Sequence, residues 1–460
     1  MTVARPSFLF DVNRCTGCQA CELACEIANG TTAGLGWRRV RTFNPLHVAG
    51  VELAHLSLAC NHCDAAPCKE QCPSGAYGRD AGTGAVLIDA DACVGCRYCA
   101  WVCPYDAPTF DESRGVMTKC TFCVDRQHLG RGPACTESCP TGALSWAVIE
   151  PAAWTPHPSV PGFADAGARP AVVITDLHDR RRVPECTHPP AMPPWRTLWS
   201  RLTPHIGVVH EWPLVLFTWL LALLVGWTVA GVCGGMRPPW WLITGAGGGG
   251  LLLSAAHLGR RERAWRAIIH IGSSRLSREI VLAGAFMMTA AIWVWRASAS
   301  SLTGTVVGVL GFVLLWTVDA VYRPGRIRGV RLQHSAAVLE TGLFFGALFA
   351  LHWPLLWLIA AGKIGLYLDR KRRRTSLGLS TRPAATMLRC GLLGGGLGVL
   401  AVQGAGVFSY AAAVLMAAEL IDRAEFYDEI EIPTPDTLML LEMERRCSSP
   451  SAAGDTFASS

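Results

Sequence analysis

Residues 93–104 read CVGCRYCAWVCP: Cys93, Cys96 and Cys99 at two-residue gaps, Cys103 three residues further on, then Pro104. Thiolates in this spacing wrap one loop around a face of an iron–sulfur cubane, and the fourth cysteine points to a neighbouring cluster. The pattern recurs as Cys15, Cys18, Cys21 and Cys25. Two variants accompany it: Cys60, Cys63, Cys68 and Cys72 before Pro73, with four residues in the second gap, and Cys120, Cys123, Cys135 and Cys139 before Pro140, with eleven. Structural zinc favours two separated CxxC pairs, often with histidine. A repeated run with a proline behind it points to clusters.

The segments between the motifs say how they pair. After Cys72 come a glycine-rich turn, the β-like run Val86-Leu87-Ile88 and an aspartate before Cys93, which makes one two-cluster ferredoxin module from Cys60 to Cys103. The outer motifs are complementary halves of another: FLFDVNRC leads into Cys15, and CPTGALSW follows from Cys139. One module is therefore nested inside the other. The expected ligand sets are Cys15, Cys18, Cys21 with Cys139; Cys120, Cys123, Cys135 with Cys25; Cys60, Cys63, Cys68 with Cys103; and Cys93, Cys96, Cys99 with Cys72. Four-thiolate sets favour [4Fe–4S] clusters, four in all, and four clusters in one small domain make a wire rather than a reaction centre.

The composition divides the chain. It has 460 residues, 20 cysteines, 51% hydrophobic residues and only 17% charged ones, with net charge +6. Soluble domains average about 25% charged residues, so the composition argues against an ordinary cytosolic enzyme, and nothing calls for a nucleic-acid partner. Sixteen cysteines fall between Cys15 and Cys139. The opening MTVARPSFLFDVNRC has neither an apolar signal core nor a twin-arginine pair. The cysteines are therefore expected reduced, which argues for metal ligation over disulfides. Cys186, Cys233, Cys390 and Cys447 lie outside the motifs and carry no assigned role.

From about Trp212 onward apolar runs dominate. Eight are near the twenty residues a bilayer requires: 212–233, 240–258, 279–297, 302–321, 335–351, 353–369, 384–402 and 404–421. Gly245–Gly250 and Gly394–Gly396 permit close helix packing. Lysine and arginine number 19 on the N-terminal side of these spans, from Arg196 to Arg423, against Arg237 and Arg296 opposite. The positive-inside rule places the cluster domain and both termini in the cytoplasm. The expected fold is an α+β double ferredoxin-like cluster domain (1–185), a Pro-rich linker (186–205), an all-α eight-helix membrane anchor with a quinone site (206–424) and a partly disordered cytoplasmic tail (425–460). A short strand at Ala171–Thr175 is expected to close the cluster domain.

Ionisable groups within spans are functional candidates. His257 ends the second span, Glu279 begins the third and Arg263 lies between them; Asp319, His334, Glu340, Lys363 and Glu419 fall in the same half of their helices. A quinone head group needs hydrogen-bond partners for two oxygens and a proton exchanger. The competing reading makes Arg263 an interfacial anchor and Asp319 and Glu419 helix caps or pairs.

The four motifs resemble the iron–sulfur subunit of the dimethyl sulfoxide reductase family of molybdoenzymes, over nearly all of residues 6–150. The apolar half resembles that family's eight-helix anchor subunit, most closely in HLGRRERAWRAIIHIGSSRLSREI (257–280) and ELIDR (419–423) before Glu425-Phe426-Tyr427. In that family the two are usually separate chains, so the sequence reads as a natural fusion. The resemblance implies the nested cysteine pairing. It also implies a quinone site at His257, Gly259, Arg263 and Glu279, with Trp265 where an aromatic is common. A molybdopterin-containing catalytic subunit is the implied partner, either a sulfoxide-type reductase or a sulfite-oxidising dehydrogenase. The expected role is non-catalytic: electrons pass between membrane quinone and that subunit. The alternative is a membrane-bound metal or redox sensor without electron-transfer turnover.

Overall fold

The computed structural model of the chain describes residues 4–31, 35–48, 50–154, 160–163, 166–178, 207–296, 301–322, 334–376, 381–403, 407–429 and 434–448. The connector 186–205 with Cys186, and the basic cluster Arg323–Arg331, lie outside them. The chain forms two compact units.

In the first unit, strand β1 (Arg5–Phe10) pairs antiparallel with β8 (Leu144–Ile149), from Arg5↔Ile149 to Phe10↔Leu144. Strand β9 (Val172–Ile174) adds parallel to β1, with Phe8 opposite Val172. The N-terminal strand is thus joined to the strand after the last cysteine motif, the closure a nested module needs. Three hairpins lie between: β2 (Arg39–Phe43) with β3 (Ala54–Leu58), β4 (Tyr77–Arg79) with β5 (Val86–Ile88), and β6 (Thr109–Asp111) with β7 (Val116–Thr118). The second of these contains the expected Val86–Ile88 strand. Short helices start within the motifs: α1 (Ala20–Asn29), α2 (Pro67–Glu70), α3 (Tyr98–Val102), α4 (Val124–His128) and α5 (Ala134–Glu137). Cysteines are part of this unit's core, packed with Phe8, Phe43, Leu56, Tyr105 and Phe122.

The second unit is helical. Its helices are α6 (Val208–Val232), α7 (Trp240–Ala256), α8 (Arg275–Trp295), α9 (Ser301–Val321), α10 (Val338–Phe349), α11 (Trp353–Ser376), α12 (Pro383–Gln403) and α13 (Phe408–Glu429). Among the described residues, each of these helices overlaps one of the eight expected apolar segments. Among the described residues four stretches are long and apolar enough to cross a membrane: Glu211–Val232, Arg275–Trp295, Leu302–Val321 and Pro383–Val402. A fifth is the pair formed by α7 and the 3₁₀ turn Arg261–Ile268, bent by 109°. Helix α10 is shorter, and α11 and α13 carry ionic stretches at one end. Helix α6 is central, packing on α7, α9, α10 and α13. It crosses α10 at Gly226, where an added Cβ would sit 2.4 Å from the Gly342 carbonyl oxygen, so only glycine fits. In the two glycine runs, Gly247, Gly250 and Gly396 meet neighbouring side chains closely, whereas Gly245, Gly248, Gly249, Gly394 and Gly395 face open space.

Of residues 425–460, those described are 425–429 and 434–448. Helix α13 runs on to Glu429, and α14 (Pro435–Ser448) belongs to the first unit. There Met439 and Met443 are buried in the cysteine-containing core. Arg41 Nε meets Asp436 at 2.9 Å, and Arg446 pairs with Glu52. The physical reason is burial: the sequence PDTLMLLEMERRCS puts Met439, Leu440 and Met443 on one apolar stripe, which needs an apolar partner.

Candidate functional site

The cysteine motifs share one backbone device. In CTGC and CVGC the third residue, Gly17 or Gly95, has φ near +70°, and the residue after the second cysteine, Gln19 or Arg97, is also left-handed. At Gly17 no larger residue fits, because a Cβ would lie 2.6 Å from the His55 ring. This conformation turns backbone N–H groups onto sulfur. Gly95 donates to Cys93 Sγ at 3.4 Å, His62 to Cys60 at 3.4 Å and Phe122 to Cys120 at 3.3 Å, and Gly17 does the same for Cys15. Past the prolines, Ala76 donates to Cys72 and Leu144 to Cys139, both at 3.4 Å.

The fold gathers the thiols into groups of four. Cys60, Cys63, Cys68 and Cys103 line one cavity of about 350 Å³. Cys15, Cys18, Cys21 and Cys139 line one of about 310 Å³, and Cys72, Cys93, Cys96 and Cys99 one of about 290 Å³. In the remaining group, Cys25 acts electrostatically with Cys135 and Cys123, and Cys120 with Cys25 and Cys135. The three cavities each gather four thiols that the sequence places together, the fourth from another motif; around Cys25 and Cys120 the acting thiols also include Cys21 and Cys60. A single zinc sits about 2.3 Å from each thiolate, and among the described residues no three ligating side chains converge on one such point. Four thiols around one space, with backbone N–H groups turned onto the sulfurs, are the donor set that a multi-iron core requires.

Burial sets the charge state of these thiols. It pushes Cys25 and Cys103 up to about 12 and Cys63, Cys99 and Cys120 well above the usual thiol range. Thiolates in such places exist only beside compensating positive charge, which bound iron supplies. The protein adds its own cation in Arg38, which is 2% exposed. Burial disfavours its charge, but Cys135, Cys21, Cys120 and Cys25 outweigh that and raise its pKa. Its guanidinium bonds the Ser57 hydroxyl at 3.0 Å and lies 4.6 Å over the Phe8 ring. Arg38 stands between two thiol groups. Arg38 lies outside every cysteine motif, so nothing in the local sequence marks it.

In the helical unit the predicted quinone residues separate by burial. Glu279, near the start of α8, is 4% exposed, whereas Trp265 is 63% exposed and Gly259 is exposed. His257 and Arg263 are half-buried, with His257 Nδ1 against the Ser254 carbonyl. The start of α8 is held firmly: Ser274 caps it by accepting from Ser277 N–H, and Ser277 Oγ donates to the Ala267 carbonyl at 2.7 Å. The charges acting on Glu279 are Arg423 and Asp319, from α13 and α9.

Several other candidates have structural work. Asp319 accepts from the Val338 and Leu339 amides at 2.8 and 3.0 Å and so caps α10 from the neighbouring helix. Lys363 pairs with Glu419 at 2.9 Å, and His334 accepts from the Ala336 amide at 3.0 Å. Glu419 opens a ladder down one face of α13. Arg389 bonds Asp422 at 2.7 Å, Lys371 bonds Glu425 at 2.7 Å, and Arg370 bonds Glu429 at 3.0 Å. Arg423, counted from sequence as a loop cation, is a correction: it is 3% exposed inside α13. Lys371 and Arg374 are buried as well. The basic excess on that side is therefore smaller than the raw count, yet it still outweighs Arg237 and Arg296.

Residues 51–149 match the family of 4Fe-4S dicluster domains, and residues 236–336 match the dimethyl sulfoxide reductase anchor subunit, DmsC. Over 151 residues the sequence is 42% identical to the B chain of anaerobic dimethyl sulfoxide reductase from Escherichia coli (strain K12), covering 31% of this chain and 73% of that protein. It is 38% identical over 146 residues to the thiosulfate reductase electron transfer subunit PhsB of Salmonella typhi, covering 31% of this chain and 75% of that one. Against the B subunit of sulfite dehydrogenase from Allochromatium vinosum it is 35% identical over 158 residues, 30% of this chain and 66% of that one.

Proposed function

Because the chain is a member of the family of dimethyl sulfoxide reductase B-type iron–sulfur subunits, fused here to a DmsC-type anchor, we propose that it is the electron-transfer and membrane-anchor subunit of a quinone-linked molybdopterin oxidoreductase. Iron–sulfur electron transfer and anchoring follow from family membership. The finer reading is four [4Fe–4S] clusters, held by the four thiol sets above, exchanging electrons with a separate molybdopterin-containing catalytic subunit. When bound, such clusters supply one-electron transfer. The observation that supports this reading is that three cavities each bring together four thiols, the fourth drawn from another motif.

The anchor is read as eight membrane helices in a bacterial inner membrane, with the cluster unit and the C-terminus in the cytoplasm. The basic asymmetry supports this. Quinol oxidation releases two electrons and two protons; quinone reduction takes up both. Glu279, with His257 and Arg263 on the adjoining turn, is the proposed proton-exchanging group, and Gly259 and Trp265 complete the sequence-based site. The relatives include reductases and a sulfite dehydrogenase. A cytoplasmic cluster unit favours the second, with electrons entering the quinone pool.

Iron and acid-labile sulfide analysis of the purified chain tests the reading. About sixteen of each per chain, with cluster signals that respond to added quinol, are expected. About four metal ions per chain and no response to quinol would establish the sensor alternative.

A further inference from the structure

Glu279 is 4% exposed, and among the described residues its carboxylate makes no hydrogen bond; it is acted on by Arg423 and Asp319. Both oxygens of Asp319 are taken by the α10 amides. Arg423 is 3% exposed and only partly satisfied. Its Nε donates to Thr218 Oγ1 at 2.9 Å and one terminal nitrogen to the Ala336 carbonyl at 3.0 Å. The other terminal nitrogen is buried with no partner in hydrogen-bonding geometry, the Tyr427 hydroxyl being the polar group that acts on the guanidinium. Around the guanidinium stand the rings of Tyr322, Phe426 and Tyr427, at 4.8, 4.6 and 5.2 Å. The Tyr322 and Tyr427 hydroxyls bond each other, and both tyrosines interact electrostatically with Glu279 and Arg423.

Buried polar groups in native proteins are almost always hydrogen-bonded, and one left unmade costs about 1–3 kcal/mol, more when charged. Here a carboxylate with no hydrogen bond among the described residues acts electrostatically on a guanidinium whose one N–H group lacks a partner in hydrogen-bonding geometry, and three aromatic rings surround that guanidinium. A quinone ring supplies what is missing: a carbonyl oxygen that accepts from Arg423, or, in the quinol, a hydroxyl that donates to Glu279. The flat ring also suits the surrounding aromatic faces.

We propose that Arg423 of α13, with Tyr322 and Tyr427, forms the head-group half of the quinone site opposite Glu279. This rests on the reading of Glu279 as a quinone residue and adds a binding partner from the far end of the chain. Arg423 binds and orients the oxygen, Tyr322 and Tyr427 wall the ring, and Glu279 exchanges the proton.

The test measures binding of the fluorescent quinol analogue 2-heptyl-4-hydroxyquinoline N-oxide to membranes holding the full chain, with cluster content as the check on assembly. Arg423→Gln should weaken binding at least tenfold, Arg423→Lys should restore part of it, and Tyr322→Leu, which removes the aromatic face, should weaken it severalfold. Should Arg423→Gln fail to accumulate, Tyr322→Leu and Glu279→Gln decide. Normal binding in Tyr322→Leu together with weakened binding in Glu279→Gln would overturn the role of this cluster and leave Glu279 in place. Normal binding in Glu279→Gln and Arg423→Gln alike overturns the inference, with a buried water as the remaining partner of the two groups. A parent protein that neither binds the analogue nor has its clusters reduced by quinol would instead defeat the quinone reading itself.

Discussion

Replacing Lys363 with Met tests the ionic ladder that holds α13 in place. The Lys363 side chain is 2% exposed and that of Glu419 0%, with Nζ 2.9 Å from the carboxylate. At that separation and an effective dielectric of about 20, Coulomb's law assigns the pair roughly 6 kcal/mol of attraction. Removing one partner of a buried pair costs about 3–5 kcal/mol, because a charge is left uncompensated. Arg389 remains 3.7 Å from Glu419 and offsets part of this, so the lower end, about 3 kcal/mol, is expected. Glu419→Gln should cost less, since Lys363 keeps the Ser335 carbonyl and Thr341 Oγ1 as acceptors. The double variant should be more stable than Lys363→Met alone, because no unpaired charge remains. Unfolding the purified chain in mixed micelles of increasing SDS fraction, followed by far-ultraviolet circular dichroism, reads all three. Since Glu419 and Arg423 lie one turn apart on α13, quinone-coupled turnover should fall with stability. A loss below about 1 kcal/mol in Lys363→Met, with strictly additive variants, would refute the reasoning.

Cys96→Ser should remove the cluster held with Cys72, Cys93 and Cys99, lowering iron by about four per chain and blocking quinone-coupled turnover while membrane insertion persists; unchanged iron would defeat the ligand set. Arg38→Gln removes a buried cation beside two thiol groups and should lower a cluster midpoint by roughly 50–100 mV in a redox titration; unmoved midpoints would show that Arg38 is structural only. Met443→Ala empties a side chain that is 2% exposed in the cluster-unit core and should destabilise that unit by about 2–5 kcal/mol in denaturant unfolding. A reporter fused after Ser460 should score as cytoplasmic; a periplasmic signal would reverse the topology.

Local chemistry was legible from the amino-acid sequence. Cluster ligation imposes spacing on consecutive residues, so the cysteine runs, their prolines and the Val86–Ile88 strand declared both the modules and their nesting before any contact was known. The strand near Ala171–Thr175 and the eight helical segments were legible for the same reason, since burial periodicity and apolar length are properties of a short window. What only the tertiary structure decided is which distant groups meet. Arg423 reads as a loop cation because it follows a run of apolar residues, yet α13 continues through it and buries it against Ala336 and Thr218, 87 and 205 positions away. Asp319 reads as a quinone candidate until the α10 amides arrive to use both its oxygens. Arg38 stands in no motif and acquires its place only when β2 and β3 carry it between two thiol groups. Helix α14 is a modest amphipathic stretch until Met439 and Met443 find the cluster core. Burial changes the worth of a charge by several kcal/mol, and burial is a property of the assembled fold rather than of any window of sequence.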